Sequence, residues 1–129
     1  MKIGVIDYQS PHFIEGVDGH SSRDGLVNLM VNGEPRIISF PHGANAYDTI
    51  PKIYQRIVEE VGIHPTSARI SLKHSRQNDQ NPVATFYVSD GASGFSGEAS
   101  GRDTIESAVL ALVLALNEMC ISISHSHGV

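Results

Sequence analysis

The chain has 129 residues, a net charge of −5 with its histidines neutral, 40% hydrophobic residues and 18% charged ones. That composition describes one globular domain with its own core, too short for a (β/α)8 barrel of about 250 residues and too apolar for disorder. The acidic balance argues against nucleic acid or an anionic membrane as partner, and seven histidines make the surface charge sensitive to pH near their ordinary midpoint of about 6.5.

The first strand is predicted at residues 2–8, KIGVIDY, which are β-branched and stop before a Ser-Pro pair. Residues 10–25 carry glycines and no period, and are expected to form a surface loop. Residues 27–31 alternate, Asn32-Gly33 marks a hairpin, and residues 36–40 return. Ile50, Ile53, Tyr54, Ile57, Val58 and Val61 then share one face of a helix, capped by Asp48 or Thr49 and ended by Gly62. The order repeats with strands at 69–74, 83–89 and 94–99, a turn at Asp90-Gly91, and a helix over 104–119 opened by Asp103 with Glu106 at capping-box spacing. Asp48-Thr49-Ile50 and Asp103-Thr104-Ile105 stand at the two helix starts, each behind an alternating hairpin. The expectation is an α+β fold of two pseudo-twofold-related βββα units, with the helices on one side of the sheets. The first unit spans about 2–62, the second about 69–119, and residues 120–129 form a tail, all within a single domain over residues 1–129.

The two helices differ. The first is amphipathic, and a sheet satisfies it. The second is apolar nearly all round, with Leu110 and Leu114 away from the stripe of Ile105, Val109, Leu112, Leu116 and Met119. It needs cover on every side, from the other helix and the tail or from a partner subunit by twofold symmetry. The second reading places Leu110 and Leu114 at a homodimer contact.

Few residues suggest chemistry. The loops before the helices offer free N–H groups at a positive dipole end, suited to a carboxylate, with Asp48 or Asp103 available to an ammonium group. The bland alternative is that both aspartates cap their helices. His125-Ser126-His127 has metal-ligand spacing on an extended segment, but a third ligand would have to come from His12, His20, His42, His64, His74 or a carboxylate, and no metal or other cofactor is expected. Cys120 is the only cysteine, which excludes an intrachain disulfide, and a buried thiol is expected there. No nucleotide or hydrolase motif is present. The βββα order also suits a double-stranded-RNA binder, but Asp103 and Glu106 occupy the helix start where phosphates would need cations. Residues 1–10 lack a leader pattern, and the apolar run 108–116 is shorter than the roughly 20 residues of a membrane span, so a cytoplasmic location without membrane contact is expected.

Residues 84–119, ATFYVSDGASGFSGEASGRDTIESAVLALVLALNEM, resemble the last part of the C-terminal regulatory domain shared by 2-isopropylmalate synthase and citramalate synthase. That family runs an A-x-V strand, a turn, a G-x-G strand, then G-x-x-T-D-I and a helix ending near A-L-N. Gly101, Arg102, Asp103, Thr104 and Ile105, and then Ala115, Leu116 and Asn117, stand at those places. Asp7-Tyr8-Gln9 is similar to the family's D-Y-Q strand. The loop from Gly43 to Thr49 keeps one glycine and the aspartate of the family's G-x-G-P-V-D-A, and Asp103-Thr104 inverts its Thr-Asp. The resemblance implies a stand-alone allosteric domain of amino-acid biosynthesis, without the catalytic barrel. It implies a homodimer, or a module pairing with a separate synthase chain, that binds leucine or a related branched-chain amino or keto acid. The implied ligand site is Gly43, Ala44, Asn45, Tyr47, Asp48, Gly101, Arg102, Asp103 and Thr104. The alternatives are a ligand-free structural dimeriser and a small enzyme with an interface site, using His42 or His74 as general base.

Overall fold

The computed structural model describes residues 2–9, 12–16, 19–23, 25–40, 46–73 and 82–127. In chain order they form β1 (Ile3–Gln9), β2 (His12–Gly16), β3 (Gly19–Arg23), β4 (Gly25–Val31), β5 (Glu34–Phe40), α1 (Ala46–Val61), β6 (Ser67–Lys73), β7 (Val83–Ser89), β8 (Gly94–Ser100) and α2 (Thr104–His127). Two three-stranded antiparallel sheets, β1-β4-β5 and β6-β7-β8, are each followed by a helix. The fold is therefore α+β, built of two βββα units.

Each sheet follows from its alternation. Val27, Leu29 and Val31 of β4 point inward with Ile38 and Phe40 of β5, and all five are buried. Asn32 and Gly33 take φ of 52° and 84°, the left-handed pair that a two-residue hairpin requires. In the second sheet Ala84, Phe86 and Val88 of β7 are the buried set. A bulge between Val5 and Asp7 of β1 pushes Ile6 out to half exposure.

Three expectations are corrected. Residues 12–16 and 19–23 are not irregular loop: as β2 and β3 they pair antiparallel in a separate two-stranded ribbon. The glycines at 16 and 19 mark its turn, and the polar, aperiodic strands gave no alternation to read. α1 begins at Ala46, ahead of Asp48, so Asp48 lies in its first turn and Pro51 inside the helix. The segment 120–129 is no tail through His127, because α2 continues to that residue. Nothing from Ala115 to His127 breaks a helix, and the end of an apolar pattern does not by itself end one.

α2 is the centre of the molecule. It lies on β8 and β7, and it also touches β1 and α1. Ala108, Val109, Ala111, Leu112, Val113, Ala115, Leu116, Met119 and Cys120 are all buried on it. Thr104–Ser122 is long and apolar enough to cross a membrane by length and composition, with a mean hydropathy of 1.7. Here it serves as a core helix, a role that needs the same composition. Its all-round apolarity is met within one chain by two sheets and a helix. Leu114 and Ile121, about half exposed, form a narrow strip left open, and Leu110 is half-buried. Gly97 permits the close seat on β8: a Cβ there would overlap the Ala111 carbonyl and lie 2.6 Å from Leu114 Cβ.

Candidate functional site

The start of α2 is where the two units are tied together. Asp103 is the N-cap: its Oδ1 accepts the Glu106 N–H at 2.8 Å, and its carbonyl accepts the Ser107 N–H. The same carboxylate accepts the Tyr8 hydroxyl at 3.1 and 3.3 Å. Tyr8 belongs to β1, so this bond crosses from the first unit to the second. Arg102 makes a second crossing, its guanidinium donating to the Tyr8 carbonyl at 2.9 Å. Glu106 holds that guanidinium at 2.9 Å and accepts the Arg102 backbone N–H at 2.7 Å. The hydrogen bond and charge of Glu106 raise the Arg102 pKa further.

Beneath this surface network Ser107 is fully buried. Its hydroxyl accepts the Gly101 N–H at 2.7 Å and has the Pro82 and Asp103 carbonyls as acceptors at 2.7 and 2.8 Å. One side chain thus joins the end of β8, the approach to β7 and the first turn of α2. Gly101 is buried against Glu106, whose Cγ would lie 2.7 Å from a Cβ at that position. At the far end of β1, Asn117 completes the junction. Its Oδ1 accepts the Ile3 N–H at 2.9 Å, and its Nδ2 donates to the Ile3 carbonyl at 2.7 Å. That side chain pairs the edge of β1 as a neighbouring strand would.

Of the residues expected at a ligand site, the structure gathers Gly101, Arg102, Asp103 and Thr104 at this junction. Tyr47 and Asp48 lie exposed in the first turn of α1. Gly43, Ala44 and Asn45 lie outside the described residues, as do His42 and His74. His125 and His127 fall on the helical backbone of α2, so an argument from extended, period-two spacing does not apply to them. Among the described residues no three His, Cys, Asp or Glu side chains gather as a metal site. Cys120 is buried, and burial pushes its thiol pKa up, away from nucleophilic use.

The sequence pointed to Asp103 and Glu106 through capping-box spacing. Tyr8 and Asn117 entered only as parts of the D-Y-Q and A-L-N resemblances, with nothing to indicate their bonding partners 95 and 114 residues away, and Ser107 was not singled out at all. No family model matches the chain, and no curated protein matches it significantly.

Proposed function

We propose that this chain is a regulatory and dimerisation module resembling the 2-isopropylmalate synthase regulatory domain, and that it senses a small branched-chain acid or pairs with a separate catalytic chain. The doubled βββα architecture, with the α2 start of one unit bonded to β1 of the other, supports this reading. A ligand at that junction would act on the relative placement of the two units through Arg102, Asp103 and Tyr8. The chemistry favours a keto acid over an amino acid. Arg102 is an exposed cation whose Nε and Nη2 are taken by Glu106 and the Tyr8 carbonyl while Nη1, among the described residues, stays open to a carboxylate, whereas the Asp103 carboxylate already receives the Glu106 N–H and the Tyr8 hydroxyl. An ammonium group would have to compete with both.

The same engagement of Asp103 favours a second reading, a structural dimeriser without ligand. Calorimetry and thermal melting with leucine, isoleucine and 2-ketoisovalerate separate the two. A ligand at 100 times its Kd raises stability by about 2.7 kcal/mol. The regulatory reading expects heat and a raised Tm with 2-ketoisovalerate, both lost in Arg102→Ala. No heat and no shift with any of the three at millimolar concentration would leave the structural dimeriser.

A further inference from the structure

We infer that the free edge of β6, with the groove beside it, receives an extended acidic and apolar segment of another protein as a fourth strand of the second sheet. This inference is independent of the regulatory reading. β1 and β6 open their respective units, yet they are treated differently. β1 is covered by α2, Ile3 and Tyr8 are buried, and Asn117 pairs its edge. The corresponding cover for β6 would be α1, which has 16 residues where α2 has 24. α1 rests on β5 and α2 instead, and α2 rests on β7 and β8. Ala68 is left exposed, and Ile70 and Leu72 are left half-buried.

The result is a groove of about 350 Å³ between α1 and β6, walled by Ile50, Pro51 and Tyr54 on one side and Ala68 and Ile70 on the other. Tyr54 stacks on Phe86, which also lines the groove, at 5.9 Å. Among the described residues β6 has a sheet neighbour on one side only. Its other side offers a row of backbone donors and acceptors, the template for an added strand.

Charge identifies the occupant. Residues 61–73 contain no Asp or Glu and carry Arg69 and Lys73, in a chain whose net charge is −5. Along β6 the exposed Arg69 and Lys73 share one face, while Ala68 and Ile70, which line the groove, share the other with Leu72. Arg69 is held 4.8 Å over the Tyr87 ring, which keeps its charge on its own face. An added strand would therefore meet cations on one face and apolar walls on the other. It should alternate acidic and apolar residues. A second copy of this chain fits less well: two β6 strands paired antiparallel about Ile70 would set their Arg69 side chains diagonally across the pair, like charges about 7–8 Å apart.

The test uses the full chain and a labelled peptide, Glu-Val-Glu-Leu-Glu-Val-Glu, with Lys-Val-Lys-Leu-Lys-Val-Lys as its control. Binding is read by anisotropy and located by amide hydrogen exchange. The acidic peptide should bind and slow exchange over Ser67–Lys73, and the basic one should not. The double variant Arg69→Glu/Lys73→Glu changes two exposed residues, and an unchanged melt will show that it folds. It should bind the acidic peptide at least about tenfold more weakly and take up the basic one. Equal binding of both peptides, or no slowing over β6 at millimolar peptide, would overturn the inference. So would concentration-dependent protection of β6 in the protein alone, which would assign the edge to a second copy.

Discussion

Gly97 sets how closely α2 approaches β8. A methyl group there meets the Ala111 carbonyl and the Leu114 Cβ, neither of which can turn aside without moving the helix. Gly97→Ala should cost about 1–3 kcal/mol, the usual range for overpacking a close contact, read as a fall in the urea midpoint at unchanged m. A change below about 0.5 kcal/mol would mean that the helix is seated farther out. Asp103 carries two bonds, so two substitutions separate its roles. Asp103→Ala removes the cap and the Tyr8 acceptor and should cost about 1–2 kcal/mol. Asp103→Asn keeps a good cap and should recover most of that loss. Equal losses in the two variants would show that charge, not capping, is what the site needs. Asn28 is an opposite case: its Oδ1 is buried without a partner among the described residues, and no bond explains its place in β4. Asn28→Val, one atom shorter but apolar and suited to a strand, should leave stability unchanged or raise it by about 1 kcal/mol.

The hairpin joining β7 to β8 is fixed by Asp90, whose Oδ1 accepts the N–H groups of Ser93 at 2.7 Å and Ala92 at 2.9 Å. These bonds, that from Ser93 first, hold its carboxyl pKa below the ordinary carboxylate value. A lowered folded pKa stabilises above the unfolded value of about 3.9 and is lost as pH falls through the folded one. Asp90→Ala should therefore melt below the wild type at neutral pH, with the gap closing at acid pH. A gap independent of pH would mean that the turn is held by its backbone alone. Elements of this kind were legible in the sequence. Asn32-Gly33 and Asp90-Gly91 announced their hairpins, and the Ile50 to Val61 stripe announced α1, because local φ preferences and periodic burial act within a few residues. The ribbon β2-β3 was not legible, since its strands lack the alternation that burial writes into a sequence. The true length of α2 was hidden for a related reason: its last turns carry no apolar stripe, and helix continuity rests there on backbone hydrogen bonds. At the candidate site, the cap was visible and its partners were not. Tyr8, Asn117 and Ser107 acquire their meaning only when β1 and α2 are brought side by side.

The two units form one core because α2 serves both. It lies on its own sheet, it is bonded to β1 of the other unit at Asp103 and Asn117, and it meets α1 on a further side. This arrangement narrows where self-association can act. An apolar helix covered on most sides has little surface left for a partner, and what remains on it among the described residues is Leu114 and Ile121 beside Glu118. The dimer proposal thus rests on a strip rather than a face. Leu110 is half-buried within the monomer, so Leu110→Glu would disturb the chain's own packing as well as any contact between copies. Leu114→Glu is the cleaner probe, because that side chain is 47% exposed and a carboxylate there stays hydrated in a monomer. Sedimentation at micromolar concentration should give twice the 13.9 kDa chain mass for the wild type and the single chain mass for Leu114→Glu, with closely similar melting of the two under dilute conditions. A twofold contact buries the strip against its own copy, so two new carboxylates would face each other without a counter-charge. A wild type that sediments as a monomer would remove the dimer from the proposed function. A Leu114→Glu variant that remains dimeric would move the contact away from α2.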